Sequence, residues 1–218
     1  MKGQILQQSD HVTLLGGGIV NHAILQDCLA LAPRLVAVDG GADAALALDL
    51  VPEQVLGDLD SLSQVARARL DPESIIETPD QNRTDFDKAL ETVAAPLALG
   101  VGFMGGRLDH ELACYNALVR SDRRCVLVGE EDLCFHVPDQ ITLGLPVGTR
   151  LSLFPMAEVA GYCTGLKWPV DGLVMAPWAR VGTSNEVTMP EQDLRFNCPG
   201  MLVILPRVHL AAVVVALS

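Results

Sequence analysis

The sequence predicts an α/β protein: a doubly wound, mostly parallel sheet followed by a small all-β sandwich domain. Three observations predict it. From residue 12 to about 135, short apolar runs alternate with segments of helical spacing, the pattern of parallel strands covered by helices on both faces. From about residue 139, prolines and glycines instead punctuate short β-prone runs. Half of the 218 residues are hydrophobic and the mean hydropathy is +0.32, which is ample material for a core. The expected domains are residues 1–138 and 139–218.

The elements follow in order. "VTLLGGG" (12–18) is a strand running into a glycine loop, and "NHAILQDCLALA" (21–32) is a helix that stops before Pro33. "RLVAVDGGA" (34–42) is a strand ending in Asp39-Gly40-Gly41, followed by a helix in "DAALALDL" (43–50). "QVLGDLDS" (54–61) is a strand and turn, with Ser61 placed to cap the next helix, "SQVARARL" (63–70). A strand in "SIIETP" precedes the helix "TDFDKALETVAA" (84–95), where Thr84 reads as N-cap and Asp87 takes the capping-box position. "LALGVGFMGG", "DHELACYNALVRS" and "RCVLVG" complete the series as strand, helix and strand. Beyond residue 139, "ITLGL", "RLSLFPM", "LVMAP", "EVTMP", "MLVILP" and "LAAVVVAL" all read as strands, with no helix among them.

Composition narrows the function. A net charge of -12 and a pI near 4.7 argue against a nucleic-acid surface and suit a cationic ligand. The six cysteines are scattered and form no CxxC pair, which reads as buried, reduced thiols of a cytosolic protein. "MKGQILQQSD" lacks the apolar core of a signal peptide, and the longest apolar stretch, "LAAVVVAL", falls far short of the ~20 residues that span a bilayer. A cytoplasmic protein with no membrane contact is expected.

The chemistry concentrates where strands end. "VLGDLDSL" (55–62) sets Asp58 and Asp60 one residue apart at the mouth of a strand, where they repel unless water or a cation intervenes. Taken singly, every polar turn has an ordinary reading. Asp39-Gly40-Gly41 is a turn; "GDLDS" is a helix cap with a spare acid; Asp85 and Lys88 form an i,i+3 pair; Arg107 and Asp109 neutralise each other. In a doubly wound sheet, however, these turns converge on one edge. Asp39, Asp58, Asp60, Asp85 and Asp109 then crowd a small volume, and a divalent cation removes that cost. Hard oxygen ligands without a Cys or His cluster suit Mg²⁺. Lys88 and Arg107 add positive charge for phosphate, and glycines let backbone N–H groups approach it. The set predicts Mg²⁺-dependent transfer from a nucleoside triphosphate. "LLGGGIVNH" is neither a P-loop nor GxGxxG, and its glycines either face the ligand or form a plain turn.

"DGGA", "GDLDS", "DQNRTDFDKAL" and "GGRLDHELA", in that order, resemble the successive motifs of the thiamine pyrophosphokinase family. "TGLKWPV" (164–170) and "TSNE" (183–186) resemble motifs of that family's C-terminal domain. Two positions depart from the pattern: Cys114 in "ELACYNAL" and Gly182 in "VGTSNE". The resemblance implies an α/β domain followed by a β-sandwich, working as a homodimer with the active site at the subunit interface. It implies transfer of the β,γ-pyrophosphoryl unit of ATP to the hydroxyethyl group of thiamine, giving AMP and thiamine diphosphate. On that reading Asp58, Asp60 and Asp85 bind Mg²⁺, supported by Asp39. Lys88 and Arg107 hold the triphosphate, and Asp109 orients Arg107 or the attacking hydroxyl. Gly40, Gln81 and Thr84 join Asp39 in binding substrate. Ser184 and Asn185 hydrogen-bond the aminopyrimidine. Trp168 either stacks on a thiamine ring or belongs to the core. His110 is a helix-start residue rather than a base. Two rivals stand beside this: a pyrophosphokinase acting on a hydroxymethyl-pterin, and a non-catalytic nucleotide-binding regulatory protein.

Overall fold

The structure, a computed structural model, describes residues 6–7, 10–60, 62–78, 80 and 82–218. It divides into two compact units, Met1–Glu130 and Glu131–Ser218. The expected boundary after residue 138 falls inside the second unit, beyond a strand, Asp132–His136, that the sequence analysis passed over. Its apolar stretch is only three residues, Leu133 to Phe135, set off from the preceding strand, Cys125–Val128, by Gly129, Glu130, Glu131 and Asp132.

In the first unit the described elements run β1 (Leu6–Gln7), β2 (Val12–Leu15), α1 (His22–Leu31), β3 (Arg34–Val38), α2 (Gly41–Ala47), β4 (Gln54–Gly57), α3 (Gln64–Arg69), β5 (Ile75–Glu77), α4 (Asp85–Thr92), β6 (Val93–Ala94), β7 (Ala98–Val101), α5 (Leu108–Arg120) and β8 (Cys125–Val128). The parallel strands lie in the order β8-β7-β2-β3-β4-β5. Leu14 of β2 stands opposite Val36 of β3 on one side and Gly100 of β7 on the other. All four residues of β2, β7 and β8 are buried, as strands with both faces covered should be. β1 and β6 form a separate parallel pair.

Helix starts follow their capping residues. The Asn21 side chain accepts from the N–H of Ala23, and Thr84 accepts from that of Asp87 while its hydroxyl donates to the Asp87 carboxylate at 3.1 Å. The expected cap Ser61 lies outside the described residues; α3 is capped by Ser63, whose hydroxyl accepts from Ala66 N–H.

The second unit carries β9 (Asp132–His136), β10 (Gln140–Leu143), β11 (Arg150–Pro155), β12 (Val159–Cys163), β13 (Val174–Met175), β14 (Gly182–Glu186), β15 (Gln192–Phe196), β16 (Met201–Pro206) and α6 (Leu210–Leu217). Its strands pair antiparallel in two sets, β14-β11-β16-β9 and β10-β15-β12-β13. β10 alternates exposed and buried residues, the signature of a sheet with one wet face. Gln192 is fully buried in this unit and is satisfied by the backbone N–H and carbonyl of Leu145.

One expectation fails here. "LAAVVVAL" is the helix α6, not a strand. Its buried residues are Leu210, Val213, Val214 and Leu217, the i, i+3, i+4, i+7 stripe of a helix, and the stripe packs against β10. Burial of that stripe outweighs the weak strand preference of three consecutive valines.

Candidate active site

Strand order reverses at β2: the chain winds outward through β3, β4 and β5 on one side, then returns to place β7 and β8 on the other. In open parallel sheets such a reversal leaves a crevice at the carboxyl ends of the strands. A cavity of about 560 Å³ opens there, lined by the loops after β2 (Gly16–Gly18), β3 (Asp39, Gly40) and β7 (Gly102, Phe103) and by the starts of α4 and α5. The glycine loop serves packing as well as the cavity. A Cβ on Gly16 would lie 2.7 Å from the Phe103 ring and 2.8 Å from the Gly102 carbonyl.

The structure brings Asp39, Asp58 and Asp85 together, with one carboxylate oxygen of each within 4.8 Å of the others. Asp39 sits at φ 48°, and Leu59, in the turn after β4, at φ 64°. Left-handed backbone on non-glycine residues is strained and gathers at functional turns. The buried Oδ1 of Asp39 has no hydrogen-bond partner. A buried carboxylate oxygen without a donor, facing two further carboxylates, is costly unless a cation meets it. The oxygen-only donor set fits Mg²⁺. Asp60 is not brought into this group: it is exposed, and its backbone N–H donates to Asp58 Oδ1 at 3.3 Å, closing the turn. Asp39, expected only in support, stands in its place.

Lys88 is 5% exposed, and its ammonium donates to Asp85 Oδ1 at 2.9 Å and lies 3.9 Å from Asp58 Oδ2. It is engaged by carboxylates rather than open to a phosphate chain. Arg107, the N-cap of α5, is 71% exposed and gripped as a fork by Asp109, at 3.2 and 2.7 Å. That bond raises the guanidinium's pKa and, from the other side, lowers that of Asp109. The fork fixes the Arg107 guanidinium against the Asp109 carboxylate. Gly106, Arg107, His110 and Cys114 line the cavity from one face of the α5 start. Gly105 N–H donates to Glu111 Oε2 at 2.9 Å, which ties the preceding loop to that helix. Thr84 lines the cavity while its hydroxyl caps α4. Gln81 lies outside the described residues.

The residues missed by sequence reasoning are apolar. Phe86 and Phe103 form a tilted ring pair 4.6 Å apart and line the cavity with Val38 and Cys114. Phe86 lies within "DQNRTDFDKAL" and Phe103 within "LALGVGFMGG", so the signal for both was an aromatic residue at the mouth of the site. Burial, with Asp87 and Glu111 nearby, pushes the Cys114 thiol up to about 12. The folded thiol therefore stays neutral where the unfolded one, at 9.0, ionises; its contribution to stability is complete below pH 9 and is lost as pH rises towards 12. Urea midpoints of a Cys114→Ala variant should fall less steeply between pH 8.5 and about 10.5 than those of the natural chain; parallel falls would contradict this.

In the second unit, the Asn185 side chain is buried. It accepts from the N–H groups of Trp168 and Glu186, at 3.1 and 2.8 Å, and donates to the Trp168 carbonyl at 2.6 Å. It is a lock joining "GLKWPV" to β14, with no group left over for a ligand through that oxygen. Trp168 is 55% exposed, with the Lys167 ammonium 4.9 Å from its ring centre. An exposed indole is available for stacking, which sets aside the core reading. Ser184 is exposed at φ 58°, with its N–H bonded to Ser152 Oγ. Asn185→Ala should cost the second unit about 1–3 kcal/mol by orphaning the groups it serves, read as a lower urea midpoint; an unchanged midpoint would show the lock to be idle.

Fold and site define a class first: an α/β unit with a carboxylate cluster and glycine turns at the switch point of a parallel sheet, followed by a mostly β unit that closes on the helix α6. Residues 25–128 match the family model for the thiamin pyrophosphokinase catalytic domain. Over these residues the chain is similar to the thiamin pyrophosphokinase family. It is 28% identical to thiamine pyrophosphokinase 1 of Oryza sativa subsp. japonica over 172 residues, 70% of this chain and 64% of that protein. It thus spans somewhat less than two thirds of that relative's length. The crystal structure of thiamine pyrophosphokinase from Bacillus subtilis superposes with a TM-score of 0.70 at 20% identity, covering 90% of this chain and 98% of that one. Thiamin pyrophosphokinase from Candida albicans gives 0.75 at 14% identity, covering 94% and 93%. Both share the doubly wound sheet and the β unit, so the expected fold class stands. Among the described residues no helix is long and apolar enough to cross a membrane.

Proposed function

We propose that the chain is a thiamine pyrophosphokinase, moving the β,γ-diphosphoryl unit of ATP to the hydroxyl of thiamine with release of AMP, in the cytoplasm. The observation that carries this is the buried, unpartnered Asp39 oxygen facing Asp58 and Asp85 in a cavity at the sheet's switch point. Asp39, Asp58 and Asp85 would hold Mg²⁺, which would supply charge neutralisation for the transferring unit. The chain's own residues do the rest. Arg107, oriented by Asp109, offers a planar fork to phosphate oxygens. The N–H groups at the start of α5 suit the same anion, whereas those of Gly16 and Gly18 already donate to the Val101 and Gly102 carbonyls. Phe86 and Phe103 give the cavity a dry wall, where electrostatic interactions are worth more. Trp168 and Ser184 are the surfaces for thiamine, whose fixed positive charge suits an indole face.

The experiment is an incubation with Mg-ATP and thiamine, a hydroxymethyl-pterin, or no acceptor. AMP is expected only with thiamine. AMP with the pterin would replace the acceptor, and none with either would leave a binding protein.

The reading includes a homodimer with the site at the subunit interface. The family resemblance supports it, as do Tyr162, Val174 and Trp178, apolar side chains at least half exposed on the second unit. Mixing an Asp58→Asn chain with a Trp168→Ala/Ser184→Ala chain under subunit exchange should restore activity above either parent. No recovery despite proven exchange would mean that each chain carries a whole site.

A further inference from the structure

Lys88 lies on α4 one turn after Asp85, so the helix itself returns its ammonium to Asp85 Oδ1 at 2.9 Å, with Asp58 Oδ2 at 3.9 Å. At 5% exposure it is buried to a degree that a lysine tolerates only when paired. The cluster it faces is Asp39, Asp58 and Asp85, and the Asp39 oxygen that lacks a donor is one that Lys88 does not serve. Three carboxylates and one ammonium leave two negative charges, the charge that one divalent ion neutralises.

We infer that Lys88 is a positioning residue: a fixed internal counter-ion that holds Asp58 and Asp85 together and limits the Asp39–Asp58–Asp85 cluster to a single divalent cation. The inference rests on the cation-binding reading of that cluster. It replaces the sequence-based expectation that Lys88 grips the triphosphate. Two consequences separate it from a phosphate-binding or merely structural lysine. The tethered charge relieves acid–acid repulsion when no ion is bound. The same charge opposes an arriving cation, so it weakens cation affinity in the absence of any nucleotide.

The probe is Mn²⁺ alone, titrated into the full chain without nucleotide and followed by the electron paramagnetic resonance signal of the free ion. The natural chain should bind one Mn²⁺ that is lost in Asp39→Asn. Lys88→Gln should bind that ion at least roughly tenfold more tightly, from the loss of one repelling charge at close range. It should also melt at a lower temperature than the natural chain in EDTA and gain more from added Mn²⁺. Unchanged or weaker Mn²⁺ affinity in folded Lys88→Gln would overturn the inference while leaving the cation site standing. If Lys88→Gln does not fold, the natural chain still decides: two Mn²⁺ lost together in Asp39→Asn overturn the single-ion limit, and one supports it. No Mn²⁺ lost in Asp39→Asn would overturn the cation reading itself.

Discussion

Asp39→Asn is expected to lower turnover by roughly 10²-fold or more, the scale of losing one electrostatic stabiliser, with the fold intact. The side chain has a buried oxygen with no hydrogen-bond partner, so a neutral amide relieves repulsion rather than breaking a bond. The backbone is at φ 48°, a region asparagine tolerates better than other residues with a side chain. Asp85→Asn makes the contrast. It should lose as much turnover and also destabilise the chain, because Lys88 is then buried with its nearest charge removed, an error that costs about 3–5 kcal/mol. Initial rates and urea midpoints on both variants check the pair. Near-normal activity in Asp39→Asn across Mg²⁺ concentrations would sink the metal assignment, and equal stability of the two would show that Lys88 does not depend on Asp85.

Gly41→Ala is expected to be the most damaging single methyl in the first unit. A Cβ there would lie 1.9 Å from the Leu15 carbonyl oxygen and 2.7 Å from its carbon, both backbone atoms of a central strand that cannot step aside. Overpacking of this kind costs about 1–3 kcal/mol, and contact with backbone puts it at the upper end. Because Gly41 opens α2 directly after the Asp39–Gly40 turn, the displaced helix should also carry Asp39 away from Asp58 and Asp85 and lower activity in the surviving folded protein. Gly106→Ala is the control: nothing lies within 4 Å of its Cβ, and its midpoint should barely move. Equal midpoints for the two variants would contradict the close helix–strand packing.

The architecture of the first unit was legible because parallel strands buried on both faces read as uninterrupted apolar runs, and those of β2, β3, β4, β7 and β8 stand between clear turn residues. The second unit was less so. β12 and β15 mix Gly, Tyr, Gln and Arg into strands that pair through their backbones, and α6 spells its helical stripe in β-branched residues. Within the site, the segments were visible but their roles were not. "DGGA" and "GDLDS" offer three carboxylates at two strand ends; which of them meet depends on the left-handed turn at Asp39 and the Asx turn at Asp58, and neither is written in spacing. Likewise the motif "TSNE" marked Asn185, but only its bonds to Trp168 show that it holds the loop in place.

The central claim is that the attack falls on the β-phosphorus of ATP, so that the β- and γ-phosphates are transferred as one unit and AMP leaves. The most direct measurement uses ATP labelled separately at the β- and γ-phosphates, with thiamine and Mg²⁺. Both labels should appear in the thiamine product in equal amounts, with one AMP formed per product, and the rate of transfer of both should fall together, roughly 10²-fold or more, in Asp39→Asn. Transfer of the γ label alone, leaving the β label in ADP, would contradict the account.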